Sequence, residues 1–138
     1  MPIGRNAKIE LIRNVPLFGQ LSRSEIAEVA KIADEIDVKE GRVLTREGDR
    51  GNEFFVLLDG AAEVKQGGKR VNMLGRGDFF GEIALVSRSP RTATVTTTQP
   101  SDLLVITGTS FRALLAHSPR IQLRVLEALA DRLAPTSI

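Results

Sequence analysis

Glu82 and Arg91 stand nine positions apart, separated by a short apolar turn and a Ser-Arg-Ser-Pro stretch. A carboxylate and a guanidinium in that order could hold a small polar molecule from two sides. The planar fork of Arg91 suits a phosphate, because two parallel N–H bonds can meet two oxygens. Glu82 can accept a hydrogen bond from a hydroxyl. Gly81-Glu82-Ile83-Ala84-Leu85-Val86 reads as a single helical turn, whose first N–H groups would add donors for an anion. Gly81 lets the backbone come close to a ligand. Out of context, a Glu and an Arg on a surface turn would simply be solvated.

The context is the full run Phe80-Gly81-Glu82-Ile83-Ala84-Leu85 followed by Pro90-Arg91-Thr92-Ala93-Thr94-Val95. It resembles the phosphate-binding cassette of cyclic-nucleotide-binding domains, the module of kinase regulatory subunits, nucleotide-gated channels and the catabolite activator family. Further landmarks match: Pro16-Leu17-Phe18, Gly41, Glu47-Gly48-Asp49, Phe54-Phe55-Val56, Gly60 and Leu129-Ala130-Asp131-Arg132-Leu133. The resemblance therefore covers nearly the whole chain. It implies that Glu82 and the Gly81 backbone hold a ribose 2′-hydroxyl, while Arg91 and the Ala84 amide hold the phosphate, with Ile83 in the same turn. Thr92 could reach the phosphate or a purine edge and leaves adenine against guanine open. Cyclic AMP is the favoured ligand, as the commoner one, with cyclic GMP as the alternative and no metal. Val64 and Leu74 either pack on ribose or base, or are plain core. In the family a C-terminal helix often closes the site as a lid. Arg132 falls in the matching stretch, where it either stacks on the purine or is an ordinary helix end. Arg88 has no motif support and reads as solvated. One departure stands out. Some family members place an acid after the Phe-Phe pair to orient the cassette arginine, whereas here Leu58 is nearest and Asp59 falls one step later, on the opposite face of a regular strand. A less fixed Arg91 is the expectation.

These residues need a frame. Ser22-Arg23-Ser24-Glu25 has capping-box spacing, and Ile26, Val29, Ala30 and Ala33 follow at helical intervals. A shorter helix is expected over 6–13. From Ile36 the pattern becomes short strands divided by Gly- and Asp-rich turns: 36–39, 43–46, 54–58, 61–65, 69–74, 92–98 and 102–106. Such spacing suggests an all-β roll or barrel. Helix returns over 110–116, and Ser118-Pro119 offers an N-cap and a proline at N1 for a helix to about Ala134. The expected architecture is mainly β with flanking helices. The resemblance makes it an eight-stranded β-roll of the jelly-roll type, with N-terminal helices and a C-terminal lid helix. The whole of 1–138 reads as one domain, with helices about 6–34, the roll about 36–107 and the last helices about 110–134.

Composition limits the alternatives. The chain is 42% hydrophobic and 26% charged, with a formal net charge of +2. That balance is globular, and no dense basic stripe marks nucleic-acid binding. There is no cysteine and one histidine, His117, so a cysteine/histidine metal site cannot be assembled. His117 precedes Ser118-Pro119 and reads as a surface or helix-end residue. No apolar run is long enough to span a bilayer, and a cytoplasmic location is expected. With no P-loop and one histidine, an enzyme is not expected. The leading reading is a regulatory sensor that binds a cyclic nucleotide and signals to an effector protein or domain, as a monomer or weak homodimer. Two alternatives remain: the ligand-sensing half of a catabolite-activator-like regulator without its DNA-reading part, and a degenerate domain used for protein contacts.

Overall fold

Glu53–Asp59 is a strand whose five interior residues are all buried. A strand buried on both faces needs apolar cover on both sides, and its residues divide accordingly. Phe54, Val56 and Leu58 join one core cluster, and Phe55 and Leu57 join another. A computed structural model describes residues 5–133. In chain order the strands are β1 (Ala33–Val38), β2 (Val43–Thr45), β3 (Glu53–Asp59), β4 (Ala62–Gln66), β5 (Lys69–Leu74), β6 (Phe79–Phe80), β7 (Thr94–Thr97) and β8 (Ser101–Thr107). The helices are α1 (Arg5–Arg13), α2 (Arg23–Ile32), α3 (Glu82–Ser87), α4 (Gly108–His117) and α5 (Pro119–Leu133), with a 3-10 turn at Pro16–Phe18.

The eight strands form two antiparallel four-stranded sheets, ordered β1-β8-β3-β6 and β2-β7-β4-β5. Between the sheets lie Phe55, Leu57, Ala62, Leu74, Phe80, Val95 and Leu103. The outer face of the first sheet is covered by helix residues, among them Ile12, Phe18, Ile26, Val29, Phe111, Ile121 and Val125. Phe54 stacks on Phe111 at 4.3 Å between centroids, which ties β3 to α4. Phe55 stacks on Phe80 at 4.8 Å, which ties β3 to β6, the strand that leads into α3. The roll with flanking helices is thus the expected architecture.

Local signals act as their spacing predicts at two helix starts. Ser22 and Glu25 form the reciprocal capping box of α2. The Ser22 bonds hold the Glu25 carboxyl below its usual range. Ser118 is buried and its Oγ accepts from the Ile121 N–H at 3.4 Å, opening α5 with Pro119 as its first residue. His117 lies exposed in the last turn of α4.

Two boundaries differ from expectation. Helix α2 ends at Ile32, and Ala33 is already the first residue of β1. Ala33 lies opposite Ile106 in a six-residue register with β8, so sheet pairing overrides its helical spacing. Phe79–Phe80 is a strand that a two-residue apolar pair does not announce, paired with Val56 and Phe55.

The outer face of the first sheet turns acidic at one end. Asp102 on β8 lies opposite Asp37 of β1 and Asp59 of β3. Burial, together with the neighbouring Glu35 and Asp37, raises the Asp102 carboxyl to about 7.

Candidate functional site

The turn from β6 into α3 sets the geometry. Gly81 is the N-cap of α3, with φ +97° in the left-handed region. A Cβ there would stand 2.9 Å from Arg91 Nη1 and 2.9 Å from the Glu53 carbonyl oxygen, so the position admits only glycine without a shift. Glu82, the first residue of α3, is completely buried.

Arg91 is 6% exposed. Its Nη2 donates to the Glu53 carbonyl at 2.8 Å and its Nη1 donates to the Gly81 carbonyl at 3.2 Å. The Glu53 carboxylate stands 4.0 Å away. Its guanidinium carbon lies 6.0 Å from the Phe55 ring centroid. Burial lowers the guanidinium from its ordinary value, and Glu53 opposes that shift. The backbone is pinned as well: the Arg91 N–H donates to the Asp49 carbonyl at 2.8 Å, and the Gly48 N–H donates to the Arg91 carbonyl at 2.9 Å. A Cβ on Gly51 would overlap Arg91 Nε, so the missing side chain leaves the guanidinium its place.

The expectation of a loosely held Arg91 is therefore not met. Asp59 is indeed turned elsewhere, toward Asp102 across an irregularity in the β3–β8 register. Two main-chain carbonyls and Glu53 hold the guanidinium in place of that acid.

A cavity of ≈ 770 Å³ opens in front of these groups. Gly81, Glu82, Ile83, Ala84, Arg91 and Thr92 line it from one side. Val64 and Leu74 line it from the β4–β5 hairpin, with Phe80 beside them. Eight of the nine residues singled out from sequence thus border one space, and its volume lies within the roughly 300–1,000 Å³ of small-molecule sites. Arg132 sits in the last turn of α5, and its side chain lies outside the described residues.

Sequence reasoning missed Asn72 and Val71 of β5, Gln66 of β4, Thr45 of β2 and Asp131 of α5, all on the cavity wall. Asp131 brings the last turn of α5 to the opening. Gln66 Nε2 donates to the Thr92 carbonyl at 3.0 Å, and Thr45 Oγ1 donates to the Ala93 carbonyl at 3.0 Å, so these two buttress the segment after Arg91. Strand alternation alone could have placed Asn72 beside Leu74. Chemically, the cavity offers a buried cation and a buried acidic side chain at one end and apolar walls at the other.

The family model for the cyclic nucleotide-binding domain matches residues 35–118. The chain belongs to that family. A cAMP-dependent protein kinase regulatory subunit from Mycosarcoma maydis is 44% identical over 100 residues, covering 67% of this chain and 18% of the relative. A cyclic nucleotide-gated potassium channel from Rhizobium etli is 32% identical over 123 residues, covering 89% of this chain and 34% of the relative. The chain thus spans about a third or less of those proteins. Among solved structures, cAMP-bound PfPKA-R superposes with a TM-score of 0.83 at 26% identity, covering 96% of this chain and 47% of the other. No helix among the described residues is long and apolar enough to cross a membrane.

Proposed function

We propose that this chain is a regulatory sensor that binds cyclic AMP in the cavity bordered by Arg91 and Glu82, without turning it over. The observation that carries the reading is the meeting of a buried arginine, a buried glutamate and a left-handed glycine at one end of a ≈ 770 Å³ cavity. The singly charged cyclic phosphate sits against Arg91 and the Ala84 amide. The ribose 2′-hydroxyl donates to Glu82, with the Gly81 backbone beside it. The purine lies against Val64 and Leu74, with Thr92 at its edge, and α5 closes over it through its last turn, where Asp131 and Arg132 lie. Binding tightens α3 and α5 against the roll, and an effector protein or domain in the cytoplasm reads that change. A ligand drives such a change only through its differential affinity for the two shapes. The choice of adenine over guanine is supported by a cAMP-dependent kinase subunit and a cAMP-bound structure among the relatives, which also include cGMP-dependent kinases.

Calorimetric titration with cyclic AMP and cyclic GMP side by side tests this. Micromolar or tighter binding of cyclic AMP, with cyclic GMP at least tenfold weaker, is expected. Tighter binding of cyclic GMP overturns the base assignment. Absence of heat and of thermal shift with either at millimolar ligand overturns the sensor reading. Release of 5′-AMP on incubation overturns binding without turnover.

A further inference from the structure

Beside α3 lies a second cleft of ≈ 260 Å³, which shares Ala84 with the large cavity. Arg50, Arg88, Arg112 and Ser89 border it, with Ala84 and Leu85 on its apolar wall. The three arginines come from three separate places: the loop before β3, the C-cap of α3 and the body of α4. Among the described residues none of the three has an ion-pair partner. Arg50 and Arg88 are exposed and Arg112 is partly buried, so the three positive charges converge on one solvent-open hollow and give it a positive potential.

A second observation concerns Arg88 alone. Its φ is +57°, and it is the one non-glycine residue with positive φ among the described residues. A left-handed C-cap is ordinarily glycine, and a side chain there is strained against the backbone. Strain of that kind is retained where the side chain has a use. The left-handed turn places Arg88 on the cleft.

We propose that this cleft docks an acidic segment of a partner protein, with Asp or Glu carboxylates received by Arg50, Arg88 and Arg112. Three features select that occupant. The guanidinium fork matches a carboxylate with two parallel bonds. The space is about a third of the ≈ 770 Å³ cavity, which suits one or two side chains better than a second nucleotide. Ala84 and Leu85 leave an apolar wall that the methylenes of glutamate cover and a bare phosphate does not. Ala84 also borders the large cavity, so a segment seated here touches the same helix that lines it. The cleft and its occupant do not depend on which ligand fills the large cavity.

The test is a titration of the full chain with hexaglutamate, and in parallel with sodium phosphate, followed through the arginine Nε–H resonances. Hexaglutamate should shift Arg50, Arg88 and Arg112 together along one saturable curve. Arg88→Gly and Arg112→Gln should each weaken hexaglutamate roughly tenfold, the scale of one charge-assisted bond. Arg70→Gln removes the same charge from exposed β5, away from the cleft, and should weaken it less than twofold. Arg88→Gly should melt no lower than the parent, because glycine relieves the strained φ, so loss of binding is not loss of fold. The proposal is overturned if Arg70→Gln weakens hexaglutamate as much as Arg88→Gly does. It is also overturned if phosphate saturates the cleft and hexaglutamate does not, or if neither saturates.

Discussion

Replacing Arg91 separates what its charge does from what its shape does. Two guanidinium N–H groups are engaged by the protein itself, at 2.8 Å on the Glu53 carbonyl and 3.2 Å on the Gly81 carbonyl. The Nε–H and the outward faces of the fork remain for a phosphate. Arg91→Lys keeps a positive charge but loses the fork, so one charge-assisted bond is expected to go, worth roughly 1.5–3 kcal/mol. That corresponds to roughly a 10- to 150-fold weaker affinity for cyclic AMP, since each 1.4 kcal/mol is tenfold. Arg91→Ala should lose more, and should carry a second penalty that the lysine variant partly avoids. It strips the donors from two carbonyls beside a buried position, at about 1–3 kcal/mol of stability. The order of affinity should therefore be Arg91, then Lys, then Ala, with Ala also the least stable to heat. Calorimetry reads the first quantity, and thermal unfolding of the ligand-free protein reads the second. A folded Arg91→Ala protein that binds cyclic AMP within twofold of the parent would refute the assignment of the phosphate to this residue.

Other expectations follow from the same geometry. Glu82 is fully buried, so the parent should bind 2′-deoxy cyclic AMP at least tenfold more weakly than cyclic AMP. Glu82→Ala should erase most of that preference, and a preference left intact would remove Glu82 from the ribose site. Gly81→Ala must place a Cβ at φ +97° and 2.9 Å from Arg91 Nη1, at a cost of about 1–3 kcal/mol in stability together with weakened binding. A variant that melts and binds like the parent contradicts the glycine requirement. Phe54→Ala empties a fully buried ring position stacked on Phe111 and should cost about 3–5 kcal/mol by denaturant unfolding. Asp102 has a folded-state carboxyl raised from 3.8 to about 7, so its contribution favours the fold below pH 4 and is lost as pH rises from about 4 to 7. Asp102→Asn should therefore stabilise the protein at pH 7.5, by up to about 1 kcal/mol for a partly buried group still screened by solvent, and not at pH 4. Equal effects at both pH values would detach the gain from ionisation.

What the sequence could reveal depended on whether the information sat in side chains close together in the chain. The cassette is contiguous, so Gly81, Glu82 and Arg91 are readable as a set. The Ser22–Glu25 capping box is readable for the same reason, being set by a spacing of three. Strand runs such as Glu53–Asp59 show themselves through consecutive bulky apolar residues. The hold on Arg91 is invisible by contrast, because its strongest acceptor is the main-chain carbonyl of Glu53, 38 positions away. A carbonyl has no letter of its own. A search for an acid in the place the family often uses finds Leu58 and Asp59 and predicts a loose arginine, when the substitute is backbone. Gly51 is legible only once Arg91 is seen lying over it. Arg88 reads as solvated and is indeed exposed; what its letter does not announce is that tertiary folding brings Arg50 and Arg112 beside it.

The carbonyls that hold Arg91 belong to two different kinds of element. Glu53 begins β3, whose following residues are buried on both faces, whereas Gly81 is the N-cap of α3, a six-residue helix joined to the roll through the two-residue β6. Arg91 therefore bonds the frame and the cassette turn at once. A phosphate that draws the fork outward competes with both bonds, but the two ends do not yield equally. Moving β3 would break the Phe54–Phe111 and Phe55–Phe80 stacks, while α3 can shift at the cost of fewer buried contacts. The response to a ligand should then concentrate in α3, and pass to α4 and α5 through Leu85 and the core cluster it shares with Phe111, Ile121 and Val125. On the proposed function the arginine would do two jobs: supply charge to the ligand, and couple the ligand to the helix with least to lose by moving.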